Sequence, residues 1–148
     1  MSNTEQTLSI IKPDAVERNL TDDIKKIFIE NDLKILNSKK IHISKEEASE
    51  FYKVHQARPF YDDLCTYLSS GPIFVIVLEG NGAVALNRKL MGATNPKDAD
   101  PNTIRKLYGI SIDKNSVHGS DSIENAKIEI NFFFKDWFYL KILMIDSE

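Results

Sequence analysis

The chain has 148 residues, 42% of them apolar and 28% charged, enough for one compact domain spanning residues 1–148 with a sizeable core. Its net charge of −3 at pH 7 excludes a global positive field that would draw it to nucleic acid or to a membrane surface, so any phosphate site must be a local cluster of cations. The single cysteine, Cys65, excludes an intrachain disulfide and fits a buried thiol in a reducing, cytoplasmic setting.

Residues 8–12 read as a short strand stopped by Pro13, which lacks the N–H a ladder needs. Thr21 is expected to cap a helix with Asp22 and Asp23 in its first turn and Ile24, Ile27 and Phe28 on its inner face. Apolar residues at 33, 35, 41 and 43 give the broken alternation of a long strand, with His42 pointing outward into solvent. Ser44 and Glu47 form a capping box that opens a helix through Phe51 and Tyr52. Arg58-Pro59 interrupts; Phe60, Leu64 and Leu68 then mark a further helix, ended by Gly71-Pro72. Residues 73–78 are continuously apolar and predict a central strand buried on both faces. Gly80-Asn81-Gly82 should turn into a helix carrying Val84, Leu86 and Leu90.

Residues 92–116 show little periodicity, and a long irregular stretch in a small domain is usually functional. A short extended segment then leads to His118. Asp121 with Glu124 has the capping-box arrangement, and Ile123, Ala126, Ile130 and Phe133 recur at helical spacing. Residues 137–145 form an apolar stretch interrupted by Lys141, too short to span a bilayer. They read as a tail that packs on the domain or on a neighbouring subunit. The element order β-α-β-(α)-β-α-(loop)-β-α predicts an α+β sandwich, with helices on an antiparallel sheet.

The chemistry concentrates around His118. An imidazole near a helix N-terminus, where backbone donors and the dipole favour an anion, is placed for phosphoryl transfer through the ring itself. Gly119 offers no side chain to block an incoming group. The alternative stays open that His118 only satisfies a backbone group. Lys12, Arg88, Thr94, Arg105 and Asn115 fall near predicted element ends and are of phosphate-handling type, although each taken alone reads as a solvated surface residue. His55 is a weaker candidate at a helix end. Phe60 is either core or an exposed ring on which any nucleobase could stack. Neither HExxH spacing nor a phosphate-loop or protein-kinase motif is present.

Six motifs carry a resemblance that covers the chain to about Trp137: Ile11-Lys12-Pro13-Asp14-Ala15, Ala57-Arg58-Pro59-Phe60-Tyr61, Ser69-Ser70-Gly71-Pro72, Met91-Gly92-Ala93-Thr94-Asn95-Pro96, Thr103-Ile104-Arg105, and Asn115-Ser116-Val117-His118-Gly119-Ser120-Asp121-Ser122. In this order and spacing they resemble the nucleoside diphosphate kinase family. The resemblance implies a ferredoxin-like α+β sandwich with a four-stranded antiparallel sheet. It implies transfer of the γ-phosphate of a nucleoside triphosphate, typically ATP, to a nucleoside diphosphate by a ping-pong route through phosphohistidine. It also implies Mg2+ carried on the nucleotide phosphates rather than on protein ligands, and a homo-oligomer, hexamer or tetramer.

Residue by residue, the resemblance makes His118 the nucleophile, with Glu129 fixing its tautomer and Ser120 supporting the same network. Arg88, Thr94 and Arg105 would hold phosphates, and Lys12 and Asn115 would contact phosphate and the sugar hydroxyl. Tyr52 and His55 match positions near the transferred group, and Phe60 with Leu64 matches the base platform. The chain departs from the family's usual glycine at Asp22 and at Asn102, from Gly-Asp-Phe at Lys106-Leu107-Tyr108, and from a frequent acid at Val54.

Overall fold

A computed structural model describes residues 3–135, so the predicted apolar tail at 137–145 lies outside the described residues. In chain order the elements are β1 (Thr4–Ile11), α1 (Pro13–Glu17), α2 (Thr21–Glu30), β2 (Lys34–Ile41), α3 (Lys45–Phe51), α4 (Tyr61–Leu68), β3 (Ile73–Asn81), α5 (Ala83–Met91), α6 (Ile104–Tyr108), β4 (Val117–Gly119) and α7 (Ile123–Phe133). Single 3-10 turns cover Lys53–His55 and Pro96–Asp98.

The four strands pair antiparallel in the order β2-β3-β1-β4. Alternation along β1 and β3 sends side chains to two separate cores. Leu8, Ile10, Val75 and Val77 pack with Ala48, Leu68, Ile130 and Phe133 under α3, α4 and α7. Ile11, Ile76 and Leu78 pack on the opposite face with Ile24, Phe28, Met91 and Ile104. Helices therefore cover both faces, which is why β3 reads as a continuous apolar run. The expected α+β sandwich is the observed fold.

Local chemistry explains most element boundaries. Ser44 and Glu47 make the complete reciprocal capping box at α3. Gly82, at φ 56°, opens α5 from the left-handed region, which glycine enters without a Cβ penalty.

Several boundaries depart from the sequence expectation. β1 begins at Thr4 rather than at residue 8, because residues as early as Thr4 find partners on β3, Thr4 opposite Asn81. Gly80 and Asn81 accordingly belong to β3 rather than to a turn. Thr21 does not cap α2. Leu20 precedes that helix in helical conformation with no side-chain cap, because the chain enters α2 directly from the turn at Asn19 (φ 60°). At α7 the cap is Ser122, whose side chain accepts from Asn125 N, while Asp121 accepts from the Asn125 side chain at 2.6 Å. The capping box expected from Asp121 and Glu124 does not form: the cap moves one residue on, to Ser122, and is one-sided. The irregular stretch 92–116 contains α6, capped by Thr103. His42 is exposed, but its Nε2 lies 2.8 Å from Ser69 O instead of meeting solvent alone. Cys65 is a buried free thiol, as expected. No helix among the described residues is long and apolar enough to cross a membrane.

Candidate active site

β1 lies between β3 and β4, so the end of β1 and the short β4 come together although far apart in sequence. His118 pairs directly opposite Ile10, and Lys12 N donates to Ser116 O at 2.9 Å. His118 Nε2 is 2.9 Å from Glu129 Oε1, one turn and a half into α7. Ser120, fully buried, donates its hydroxyl to the same carboxylate oxygen at 2.8 Å. The rings of Phe51 and Tyr52 meet the imidazole edge-on at centroid distances of 5.3 and 6.3 Å. Nε2 is thus occupied by a carboxylate. No described residue hydrogen-bonds Nδ1.

Cations converge on this strand. Arg105, 7% exposed, donates to Gly92 O at 3.0 Å and to Val117 O at 2.9 Å, while its buried Nε has no partner among the described residues. Arg88, exposed on α5, reaches Gly119 O at 3.4 Å. Lys12, 6% exposed, donates Nζ to Asn115 Oδ1 at 2.9 Å, and Asn115 Nδ2 donates to Thr94 O at 3.1 Å. Burial and the Arg105 charge lower the Lys12 pKa to about 8. Burial and the Arg88 charge lower that of Arg105 to about 10. Among the described residues none of these three cations lies within ion-pair distance of a carboxylate. Like charges gathered here with no carboxylate in direct contact are costly, and an anionic ligand relieves that cost.

On the rim, His55 stands 6.1 Å from the Tyr52 ring and 6.4 Å from that of Phe60. Phe60 is 42% exposed at the start of α4, with half-buried Leu64 one turn below. Tyr52 is buried, and desolvation with the nearby Glu129 charge raises its pKa. Thr94 is exposed, offering its carbonyl to Asn115.

Gly119 has a packing reason that the sequence did not show. A Cβ there would lie 2.4 Å from Asn87 Nδ2 and 2.6 Å from Met91 Sδ, so glycine lets β4 close onto α5. Sequence reasoning also passed over Phe51, which touches the imidazole, and assigned no task to Asp14 or Ser116, which form a buried hydrogen bond at 2.8 Å. Phe51 carried only a helical-period signal, and Asp14 only its place in a motif.

The profile of the family described as nucleoside diphosphate kinase matches residues 5–137. The chain belongs to the nucleoside diphosphate kinase family. It is 60% identical over 132 residues to the nucleoside diphosphate kinase of Rhizorhabdus wittichii, covering 89% of this chain and 94% of that protein. It is 59% identical over 131 residues to that of Campylobacter jejuni, with 88% and 96% covered. Among solved structures it is similar to the Aquifex aeolicus nucleoside diphosphate kinase (TM-score 0.88, 41% identity, 89% and 96% covered). The Encephalitozoon cuniculi nucleoside diphosphate kinase is likewise similar, with a TM-score of 0.86, 39% identity, and 89% and 90% of the two chains covered. Membership makes the chain a phosphotransferase, and nucleotides and a divalent metal ion are the family's working set.

Proposed function

We propose that the chain transfers the γ-phosphate of a nucleoside triphosphate, with ATP as the usual donor, to a nucleoside diphosphate through His118. Nδ1 attacks the γ-phosphorus in line. The N–P bond forms as the bond to the β,γ-bridging oxygen breaks, and the diphosphate leaves. The ring becomes a phosphorylated imidazolium whose Nε2–H is held by Glu129, itself supported by Ser120. A terminal oxygen of the second diphosphate then attacks the same phosphorus and regenerates the free ring. One observation carries this reading: Nε2 is engaged by Glu129, which leaves Nδ1 as the nucleophile on a strand flanked by unpaired cations.

Lys12, Arg88 and Arg105 would neutralise the charge spread over the transferring group, with Thr94 on the phosphates and Tyr52 and His55 beside the reacting atoms. Lys12 and Asn115 would also meet the sugar hydroxyl. Phe60 and Leu64 would form a platform on which a base stacks without its edge being read, so purines and pyrimidines are both accepted. The metal is Mg2+, arriving as part of the nucleotide substrate. A donor set dominated by cations suits an ion carried on phosphate oxygens. The setting is cytoplasmic and the assembly a homo-oligomer, hexamer or tetramer. Among the described residues β2 is an outer strand with β3 as its partner, and exposed Leu107, Ile110 and Ile112 offer apolar contact area.

Incubation with γ-labelled ATP tests the mechanism. Acid-labile, base-stable label on the wild type and none on His118→Ala is the expected result. A nucleotide-binding module without catalysis would take no label, and a phosphocarrier would take it only from an added donor protein.

A further inference from the structure

Asp14 is 5% exposed, yet every side of its carboxylate is met. Tyr67 donates its hydroxyl to Oδ1 at 2.5 Å, Ser116 donates its own to Oδ2 at 2.8 Å, and the Arg18 guanidinium lies 3.2 Å from Oδ2. Ser116 is fully buried and sits at φ 74°, in the left-handed region that side chains other than glycine rarely adopt. Its carbonyl accepts from Lys12 N. Asn115, one residue before it, accepts from Lys12 Nζ, and His118 follows two residues later. Glycine would relieve the backbone at 116 but would have no hydroxyl to offer Asp14. A strained residue retained beside a reactive group points to a use for the strain.

We propose that Asp14 is a positioning residue for the transfer reaction: through the Ser116 hydroxyl it locks the left-handed turn that sets Asn115, Lys12 and His118 in register. This rests on the reading that Lys12 and His118 act on the nucleotide. Asp14 also contributes its charge to Lys12, favouring the protonated amine against burial and Arg105; Asp113 acts in the same sense, and Arg18 and Tyr67 face Asp14 itself.

The test uses the full chain as Asp14→Asn, Ser116→Ala and Ser116→Gly, with melting temperature and the pH profile of kcat/KM measured for each. In Asp14→Asn the alkaline limb is expected to move to lower pH, because the charge supporting protonated Lys12 is gone. At neutral pH kcat/KM should fall roughly tenfold to a hundredfold in all three variants. Ser116→Gly, in which relief of the left-handed backbone offsets part of the lost hydroxyl bond, should melt closer to the parent than Ser116→Ala and yet lose rate comparably; a purely structural bond would let rate follow stability. An unmoved alkaline limb in folded Asp14→Asn, or Ser116→Gly at the parental rate, overturns the proposal. Should Asp14→Asn not fold, the Ser116→Gly arm decides alone. A parent that takes no label from γ-labelled ATP would sink the functional reading and this proposal with it; a labelled parent with an unmoved limb sinks this proposal alone.

Discussion

Glu129 Oε1 lies 2.9 Å from His118 Nε2, and the same oxygen accepts the Ser120 hydroxyl. One carboxylate oxygen thereby holds the ring's orientation and, in the proposed mechanism, selects the nitrogen that attacks. Glu129→Gln keeps an acceptor but removes the charge that balances the imidazolium, so kcat should fall on the order of a hundredfold. The phosphoryl adduct should sit on Nδ1, which phosphorus–nitrogen coupling in the labelled protein would report. An adduct on Nε2 would reverse the assignment.

Lys12 sets a pH limit. Burial and Arg105 make the folded chain hold this proton less tightly than an exposed lysine would, with a pKa of about 8. The charge proposed to meet phosphate is present below that value and lost above it. For free enzyme, kcat/KM should decline as pH rises through about 8, while the kcat limb lies higher because bound phosphates favour the protonated amine. Lys12→Arg, permanently charged, should lose the limb near 8 even if its bulk lowers the rate.

Gly119→Ala is expected to destabilise the fold by about 1–3 kcal/mol, read as a lower melting temperature, because its methyl overlaps Asn87 and Met91. Trimming Asn87 to alanine in the same chain should restore part of that loss. An unchanged melting temperature in the single variant would mean that β4 and α5 are not closed on each other as described.

Phe60→Ala should weaken binding of adenine, guanine and pyrimidine nucleotides alike, by roughly 1–3 kcal/mol each if the ring stacks. Competition binding across bases measures this. A loss confined to one base would argue for edge recognition instead.

Asn102 stands at φ 70°, where the family usually has glycine. Asn102→Ala should cost about 1 kcal/mol of stability, whereas Asn102→Gly should be neutral or slightly stabilising, checked by denaturant unfolding.

Elements with strong periodic or capping signals were legible in the sequence. β3 announced itself by an uninterrupted apolar run, and α3 by Ser44 and Glu47, because both signals are local. Boundaries failed where a distant partner decided them: β1 extends to Thr4 only because β3 lies alongside, and Thr21 lost its capping task to the turn at Asn19. At the candidate site, the motif residues could be named one by one, but no spacing shows that Lys12, Arg88 and Arg105 converge. The Asp14–Ser116 bond spans 102 residues and leaves no periodic trace.

The pairing of Ile10 with His118 carries a further consequence for biosynthesis. A ribosome must release the chain through Gly119 before β4 can dock on β1, and through α7 before Glu129 is delivered. Nascent or prematurely terminated products should therefore be inert toward nucleotides, and such non-local closure favours slow, all-or-none maturation. Catalytic competence thus doubles as a readout of completed folding.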